Sequence, residues 1–427
     1  MTRIPKLLPG PLQRFFRHRR LQRKLHQTPY SRSAVGELLA ELTGHPRLLS
    51  PSRRPSLILY ATIFPRLSCS FNLVEYRALL DQFPETLCYT SGTDFHTGSD
   101  RPTFAGILKD YLDRHPQHAG RIRKVDLSTS FSASLFYTIF LSNIHDCLPL
   151  LEASQTPFIF RLYLGGEWCV GNEGSDRMLD RVLQSPQFRH VITVDPATEH
   201  YVREKWKLSP DQLSYLPGWM VDTMTLYSAG ANRPSAPTHQ ICFVGMKSAP
   251  GGKNKGFDVF VEVAKQLAMK FPAMVFHVVG SCGPEDADVT SLGSRMVFHG
   301  VQNQDFFPRF YPKMDLILSP NLPNSLAPGH LEGAPNVTNV EAGLCGCLVV
   351  MTDQSRLNVL FEPDRHLVVV PHDAQSITRR LESLYREPDL LLRLAADGRE
   401  RFREVCDSNR ILKPLFDRLA PYLPHSS

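Results

Sequence analysis

From Pro55 onward the chain alternates short apolar runs with segments whose apolar positions recur at helical spacing. SLILYATIF reads as a buried strand and LVEYRALLDQF as the helix that follows it. ETLCYTS, FIFRLYL and HVITV read as further strands, and EHYVREKWKL as a helix leading to the strand SYLP. Short apolar runs without polar alternation mark strands covered on both faces, and strands separated by helices imply parallel βαβ units. Residues 226–239, LYSAGANRPSAPTH, interrupt the pattern with small and polar residues and two prolines, which predicts a linker.

Past the linker the alternation restarts as QICFVG, the helix FDVFVEVAKQLAMKF, MVFHVVG, RMVFHG, the helix FFPRFYPK, DLILSP, CLVVMTD, HLVVVP and the helix SITRRLESLYRE. The final FREVCDSNRILKPLFDRLAPYL reads as helix closing against the first domain. The pattern therefore predicts an α/β chain of two Rossmann-like domains in sequence, with ligands held at the carboxyl ends of both parallel sheets, facing a central cleft. The expected boundaries are a basic extension over 1–50, a first domain over 51–230, a second over 238–405 and a C-terminal helix over 406–427.

Length agrees with this division, since 427 residues exceed what one hydrophobic core usually serves. Charge refines it. Nine of the 48 Lys and Arg fall within residues 1–36, which hold no Asp or Glu, so the other 391 residues carry 39 basic against 42 acidic groups. A body so close to neutral argues against a nucleic-acid-binding face. The basic stretch LQRFFRHRRLQRKLHQ, residues 12–27, reads either as a solvated arm or as an anchor to anionic lipid, worth about 1 kcal/mol per basic residue near the surface. FSASLFYTIFL, residues 131–141, is the nearest approach to a membrane span and is shorter than the roughly 18 residues required. The nine cysteines form no CxxC and no Cys/His cluster, which suggests reduced thiols rather than a zinc site or disulfides. The start MTRIPKLLPGP lacks the apolar core of a secretory signal, so the expected location is cytoplasmic, at most peripheral at the inner face of the membrane.

Two stretches carry candidate chemistry. In CFVGMKSAPGGKNKGFDVF a strand ends at Gly245, and the loop with Gly251, Gly252 and Gly256 carries Lys247, Lys253 and Lys255. Glycines let backbone N–H groups approach an anion, and lysines neutralise a diphosphate. In LEGAPNVTNVEAGLCG, residues 331–346, Glu332 and Glu341 stand nine positions apart around a turn. Thr338 with Glu341 matches a capping box, and Gly346 would end a helix of about two turns, so the stretch also has a purely structural reading. Asn336-Val337-Thr338 matches a glycosylation sequon, which has no role in a cytoplasmic chain. The loop before this helix lies at the carboxyl end of the strand DLILSP. A helix start there offers free N–H groups to a phosphate, and flanking carboxylates suit sugar and ribose hydroxyls.

In this order, the Gly–Lys loop, KGF helix, VVG, FHG, DLILSP, EGAPNVTNVEAGLCGCLVV and HLVVVP resemble the nucleotide-binding half of the retaining GT-B glycosyltransferases, the glycosyl transferases group 1 family, over about residues 240–405. That family normally carries an EGFPNVVLEAMACGCPVV-like run. The first half resembles it more loosely: Leu164-Gly165-Gly166 stand where the family has His-Gly, Asp195 replaces its Ser, and Gly218-Trp219 stand for Asn-Gly, while FPRLSCSFN follows the first strand in place of a Gly-Gly loop. The resemblance implies that Glu332 lies near the transferred sugar, Glu341 binds the nucleotide ribose and Lys255 binds the diphosphate. Glu332 and Lys255 are then the catalytic pair. Met246 replaces the family's Arg, leaving Lys247 or Lys253 to supply a second charge beside Gly245, Asn336, Val337 and Thr338. Gly165 and Gly166 would face the cleft from the first domain. The interval between the glutamates is one residue longer than usual, which a bulge near Ala334–Asn336 would absorb. The implied activity is transfer of a sugar from a nucleotide-diphosphate donor, itself a substrate, to a saccharide or lipid-linked acceptor in polysaccharide or glycoconjugate synthesis, with retention and without a metal or other cofactor. A nucleotide-sugar epimerase of GT-B architecture and a non-catalytic nucleotide-sugar-binding relative are the competing readings.

Overall fold

The computed structural model describes residues 32–43, 54–66, 70–91 and 103–424, so the basic stretch 12–27 lies outside the described residues. The first sheet holds β1 (Leu57–Ala61), β2 (Thr86–Thr90), β3 (Ile122–Lys124), β4 (Leu135–Ile139), β5 (Phe158–Leu162), β6 (Phe188–Thr193) and β7 (Leu213–Tyr215), in the order β3-β2-β1-β4-β5-β6-β7. The second holds β8 (Gln240–Gly245), β9 (Val275–Gly280), β10 (Met296–Gly300), β11 (Leu316–Ser319), β12 (Leu348–Met351) and β13 (Val368–Val369), in the order β10-β9-β8-β11-β12-β13. Neighbouring strands pair in parallel throughout, with Leu57 of β1 beside both Thr86 and Leu135, and Ile317 of β11 beside both Val349 and Cys242.

Every residue of β1, β4, β5, β11 and β12 is buried, as expected of central strands covered by helices on both faces. The apolar run at 131–141 is thus the source of a central strand. Among the described residues no helix is long and apolar enough to cross a membrane. β3 is a short edge strand whose Arg123 faces solvent, and its polarity hid it in the sequence. FFPRFYPK gives only one α-helical turn, Phe307–Phe310, followed by a tighter turn at Tyr311–Lys313.

Two connections depart from their expected form. The segment after β7 is not a bare linker: Asp222 caps a helix Thr223–Ala229. Arg399 stacks its guanidinium 3.9 Å from the Tyr227 ring centre, which fixes this helix on the second domain. The C-terminal stretch breaks at Cys406–Asp407 into helices Pro388–Val405 and Ser408–Leu419, and the Cys406 carbonyl accepts a 2.6 Å hydrogen bond from Thr223 Oγ1. The second of these helices packs on the first-domain helix Ser70–Gln82, and Phe416 meets Phe83 edge-on with ring centres 5.8 Å apart.

Each sheet reverses its winding once, between β1 and β4 and between β8 and β11. The two carboxyl ends face each other. Val170 N–H, after β5, donates to Gly329 O, after β11, at 2.8 Å. Gly329 adopts φ +80, and a Cβ there would lie 1.9 Å from Val170 O, so only glycine allows this approach. Trp219 Nε1, after β7, donates to Pro335 O at 2.9 Å.

A buried charge sets the first-domain side of this contact. Arg161 on β5 and Glu75 are both fully buried, and Arg161 Nη1 donates to Glu75 Oε2 at 2.6 Å. Tyr137 donates its hydroxyl to the other carboxylate oxygen. Arg161 Nη2 reaches the carbonyls of Leu216 (2.9 Å) and Pro217 (2.5 Å), and the Tyr163 hydroxyl donates to Gly218 O. The pair thereby holds the turn that presents Trp219 to the second domain. Removing one member of such a pair leaves an uncompensated buried charge. Arg161→Met is expected to cost about 3–5 kcal/mol in urea denaturation, and Arg161→Met with Glu75→Leu to recover a large part of it.

Candidate active site

The crevice at the second domain's reversal lies between the loop after β8 and the loop after β11. The first loop runs from Gly245 to Gly256, and Gly256, at φ +69, packs so tightly on Pro320 that a Cβ would lie 1.9 Å from its carbonyl oxygen. That approach brings Lys255 to the second loop. Lys255 Nζ donates to Glu332 Oε2 at 2.5 Å, with side-chain exposures of 22% and 9%. Asn254, itself buried, accepts from the N–H groups of Ser248 and Ala249 through Oδ1, each at 3.1 Å, and its Nδ2 lies 3.5 Å from Glu332 Oε1. Leu322 N–H donates to Asn254 O, so this residue ties the two loops together.

The other lysines are placed differently. Lys247 turns to Asp286, donating to its Oδ2 at 2.5 Å, and this hydrogen bond raises the lysine's affinity for its proton. Lys253 is exposed on the loop surface. Of the three, Lys255 is the one joined to Glu332.

The helix Val337–Leu344 starts beside the end of β8, where Thr338 Oγ1 lies 3.5 Å from Val244 O. Its cap corrects the capping-box expectation. Asn336, not Thr338, is the N-cap: its Oδ1 accepts from Asn339 N–H at 2.9 Å and from Thr338 Oγ1 at 2.8 Å. An amide at 336 satisfies the third N–H of the helix, so Thr338 falls inside the first turn, where it cannot cap. The N–H groups of Val337 and Thr338 are the first-turn donors with no acceptor inside the helix. Gly346 ends the helix as expected, with Gly346 N–H on Gly343 O and Cys347 N–H on Ala342 O, both at 2.9 Å.

Glu341 sits more than a turn into the helix and is 5% exposed. Burial drives the Tyr311 phenol far above its ordinary range, and the charge of Glu341 adds to this. Glu341 thus lies on the buried side of the helix, near enough to Tyr311 for its charge to act on the phenol.

From the first domain, Gly165 and Gly166 follow β5. Gly166 O accepts from Ser142 N–H and Gly165 O from Trp168 N–H, both at 3.0 Å, which starts the loop that reaches Gly329 through Val170. Asn254, Asp286 and His330 were missed in the sequence. His330, two residues before Glu332, is 8% exposed, and burial lowers its proton affinity, Glu332 opposing and Lys255 reinforcing.

The paired reversal points, with two parallel sheets opposed at their carboxyl ends, decide the architecture. The chain has the GT-B fold. Residues 258–417 match the model of a family described as glycosyl transferase-like. A glycosyltransferase from Rickettsia africae superposes with a TM-score of 0.61 at 13% identity, covering 88% of this chain and 100% of that one. Anabaena HepE in complex with UDP gives 0.61 at 14% identity over 86% and 100%. Sucrose-phosphate synthase from Thermosynechococcus elongatus gives 0.59 at 16% identity, also over 86% and 100%. No curated protein matches the chain by sequence. At these identities the likeness is one of fold, and within the GT-B frame the Lys255–Glu332 pair occupies the second domain's switch point, where ligands of open α/β sheets bind.

The cap assignment separates two variants. Asn336→Ala is expected to lose about 1 kcal/mol of stability in thermal or urea unfolding, and Thr338→Val well under half of that.

Proposed function

We propose that this protein is a glycosyltransferase that moves a sugar from a nucleotide-diphosphate donor to a saccharide or lipid-linked acceptor with retention at the anomeric carbon. The observation that carries the reading is the 2.5 Å pair of Lys255 with Glu332 at the switch point, beside a helix start whose first N–H groups are unclaimed. The hard step is departure of a nucleoside diphosphate, with negative charge growing on the β-phosphate oxygen as the glycosidic bond breaks. A lysine ammonium and oriented N–H groups in a crevice that excludes much water stabilise that charge more than they stabilise the bound donor. Glu332 keeps Lys255 aimed into the crevice before the donor arrives and stands beside the position the sugar would take. In this reading the lysine and the helix start suffice for charge neutralisation without a metal.

The complex of Anabaena HepE with UDP-glucose supports looking first at uridine nucleotides. Glu341, one turn into the helix, is assigned the ribose, and reaching it requires the nucleoside to enter along the helix flank towards Tyr311.

Thermal-shift measurements with UDP, GDP, ADP and CMP are expected to show stabilisation by one nucleoside diphosphate, by mass action on the folded state. With the donor so identified, Lys255→Ala is expected to lower transfer by about 100- to 1,000-fold while the fold persists. Transfer at the wild-type rate by a folded Lys255→Ala protein removes the proposal.

A further inference from the structure

The chain crosses itself where the second sheet reverses. A Cβ on Gly256 would lie 1.9 Å from Pro320 O, and Leu322 N–H donates to Asn254 O at 3.1 Å. These contacts match 320 with 256 and 322 with 254, so the two segments run in opposite directions and Asn321 stands across from Lys255. On its other flank the Asn321 carbonyl accepts from Thr352 Oγ1, just past β12, at 2.6 Å. The backbone of Asn321 is thereby held from both sides at the carboxyl end of β11.

The side chain is not held in the same way. Asn321 is 6% exposed, yet among the described residues its amide has no hydrogen-bond partner, and both amide atoms remain open to solvent. Polar side chains buried this far normally bond to protein. An amide that is more than nine-tenths buried, unpartnered and still reachable faces a confined recess rather than the open surface. The residue across from it, Lys255, carries the contact with Glu332. An amide offers one group that donates and one that accepts. A phosphate oxygen only accepts and would leave the Asn321 oxygen unused, whereas a hydroxyl does both. Neutralising a diphosphate already falls to Lys255 and the helix start.

We propose that Asn321 hydrogen-bonds a hydroxyl of the transferred sugar and so helps select which sugar the crevice holds. This rests on the nucleotide-sugar reading of the site, in which the sugar is joined to the phosphate that Lys255 binds and lies beside Glu332. A side chain across from Lys255 is placed for that end of the donor, whereas the nucleoside lies along the helix flank towards Tyr311.

The test measures, by calorimetry on the full chain, the binding of UDP, UDP-glucose, UDP-N-acetylglucosamine, GDP and GDP-mannose to wild type, Asn321→Ala and Asn321→Ser, with unfolding temperatures taken in parallel. Asn321→Ala is expected to keep the wild-type unfolding temperature, since the amide has no protein partner to lose. It is expected to weaken the nucleotide sugar by about 10- to 100-fold while the nucleoside diphosphate alone changes by less than about threefold. Asn321→Ser, which keeps a donor and an acceptor, is expected to recover part of the loss. Among deoxy analogues of the bound sugar, one is expected to bind wild type as weakly as the complete sugar binds Asn321→Ala, with no further loss on that variant. Equal weakening of diphosphate and nucleotide sugar, or no weakening of either, overturns the assignment, as does a lowered unfolding temperature without selective loss. If Asn321→Ala does not fold, the deoxy series on wild type and Asn321→Ser decides. A wild type that binds a diphosphate but none of these nucleotide sugars overturns this assignment alone, and one that binds none of these nucleotides rejects the underlying reading with it.

Discussion

The ion pair between Lys255 and Glu332 is the constraint around which the second domain's crevice is arranged. Its two members come from loops 77 positions apart in the chain, and they meet because both loops leave the sheet at its one reversal. A half-buried pair of this kind gains little net stability, since desolvation offsets most of the Coulomb attraction. Its value lies in orientation. The tight packing of Gly256 on Pro320 and the bridging by Asn254 hold the lysine against the carboxylate, and the same contacts hold the mouth of the crevice beside the start of the helix Val337–Leu344.

An anionic ligand entering here competes with Glu332 for the ammonium. Binding a diphosphate therefore requires the pair to loosen or to be shared, which weakens ground-state affinity. In the proposed transfer, charge growing on the leaving oxygen would raise the lysine's attraction to it relative to its attraction to the fixed carboxylate. Interactions that strengthen along the reaction are the ones that accelerate it. The opposing domain contributes through rigidity more than through charge. The buried Arg161–Glu75 pair fixes the 216–218 carbonyls, and Trp219 transmits that order to Pro335, immediately before the capping Asn336.

Much of this architecture was legible in the alternation of apolar runs with helical segments, because parallel strands buried on both faces leave long apolar signatures. β3 was not, being three residues long with a solvent-facing arginine. β4 was visible as an apolar run, but that run continues through Phe140 into the helix that begins at Leu141, which blurred the end of the strand. At the site, Lys255 and Glu332 were legible from the ordered resemblance, whereas the helix cap was misplaced. Thr338 and Glu341 satisfy the capping-box spacing, but Asn336 is an equally good cap earlier in the chain, and spacing alone does not rank the two. Asn321 and the Arg161–Glu75 pair left no local trace. The first has meaning only once its segment crosses that of Lys255, and the second joins residues 86 positions apart.

The account stands most directly on where a diphosphate binds. A crystal structure of the chain with the nucleoside diphosphate that stabilises it is predicted to show a β-phosphate oxygen about 2.7–3.1 Å from Lys255 Nζ, with the N–H groups of Val337 and Thr338 turned to the diphosphate and Glu332 moved off the lysine. A diphosphate bound elsewhere, with the 2.5 Å Lys255–Glu332 contact undisturbed, would contradict it.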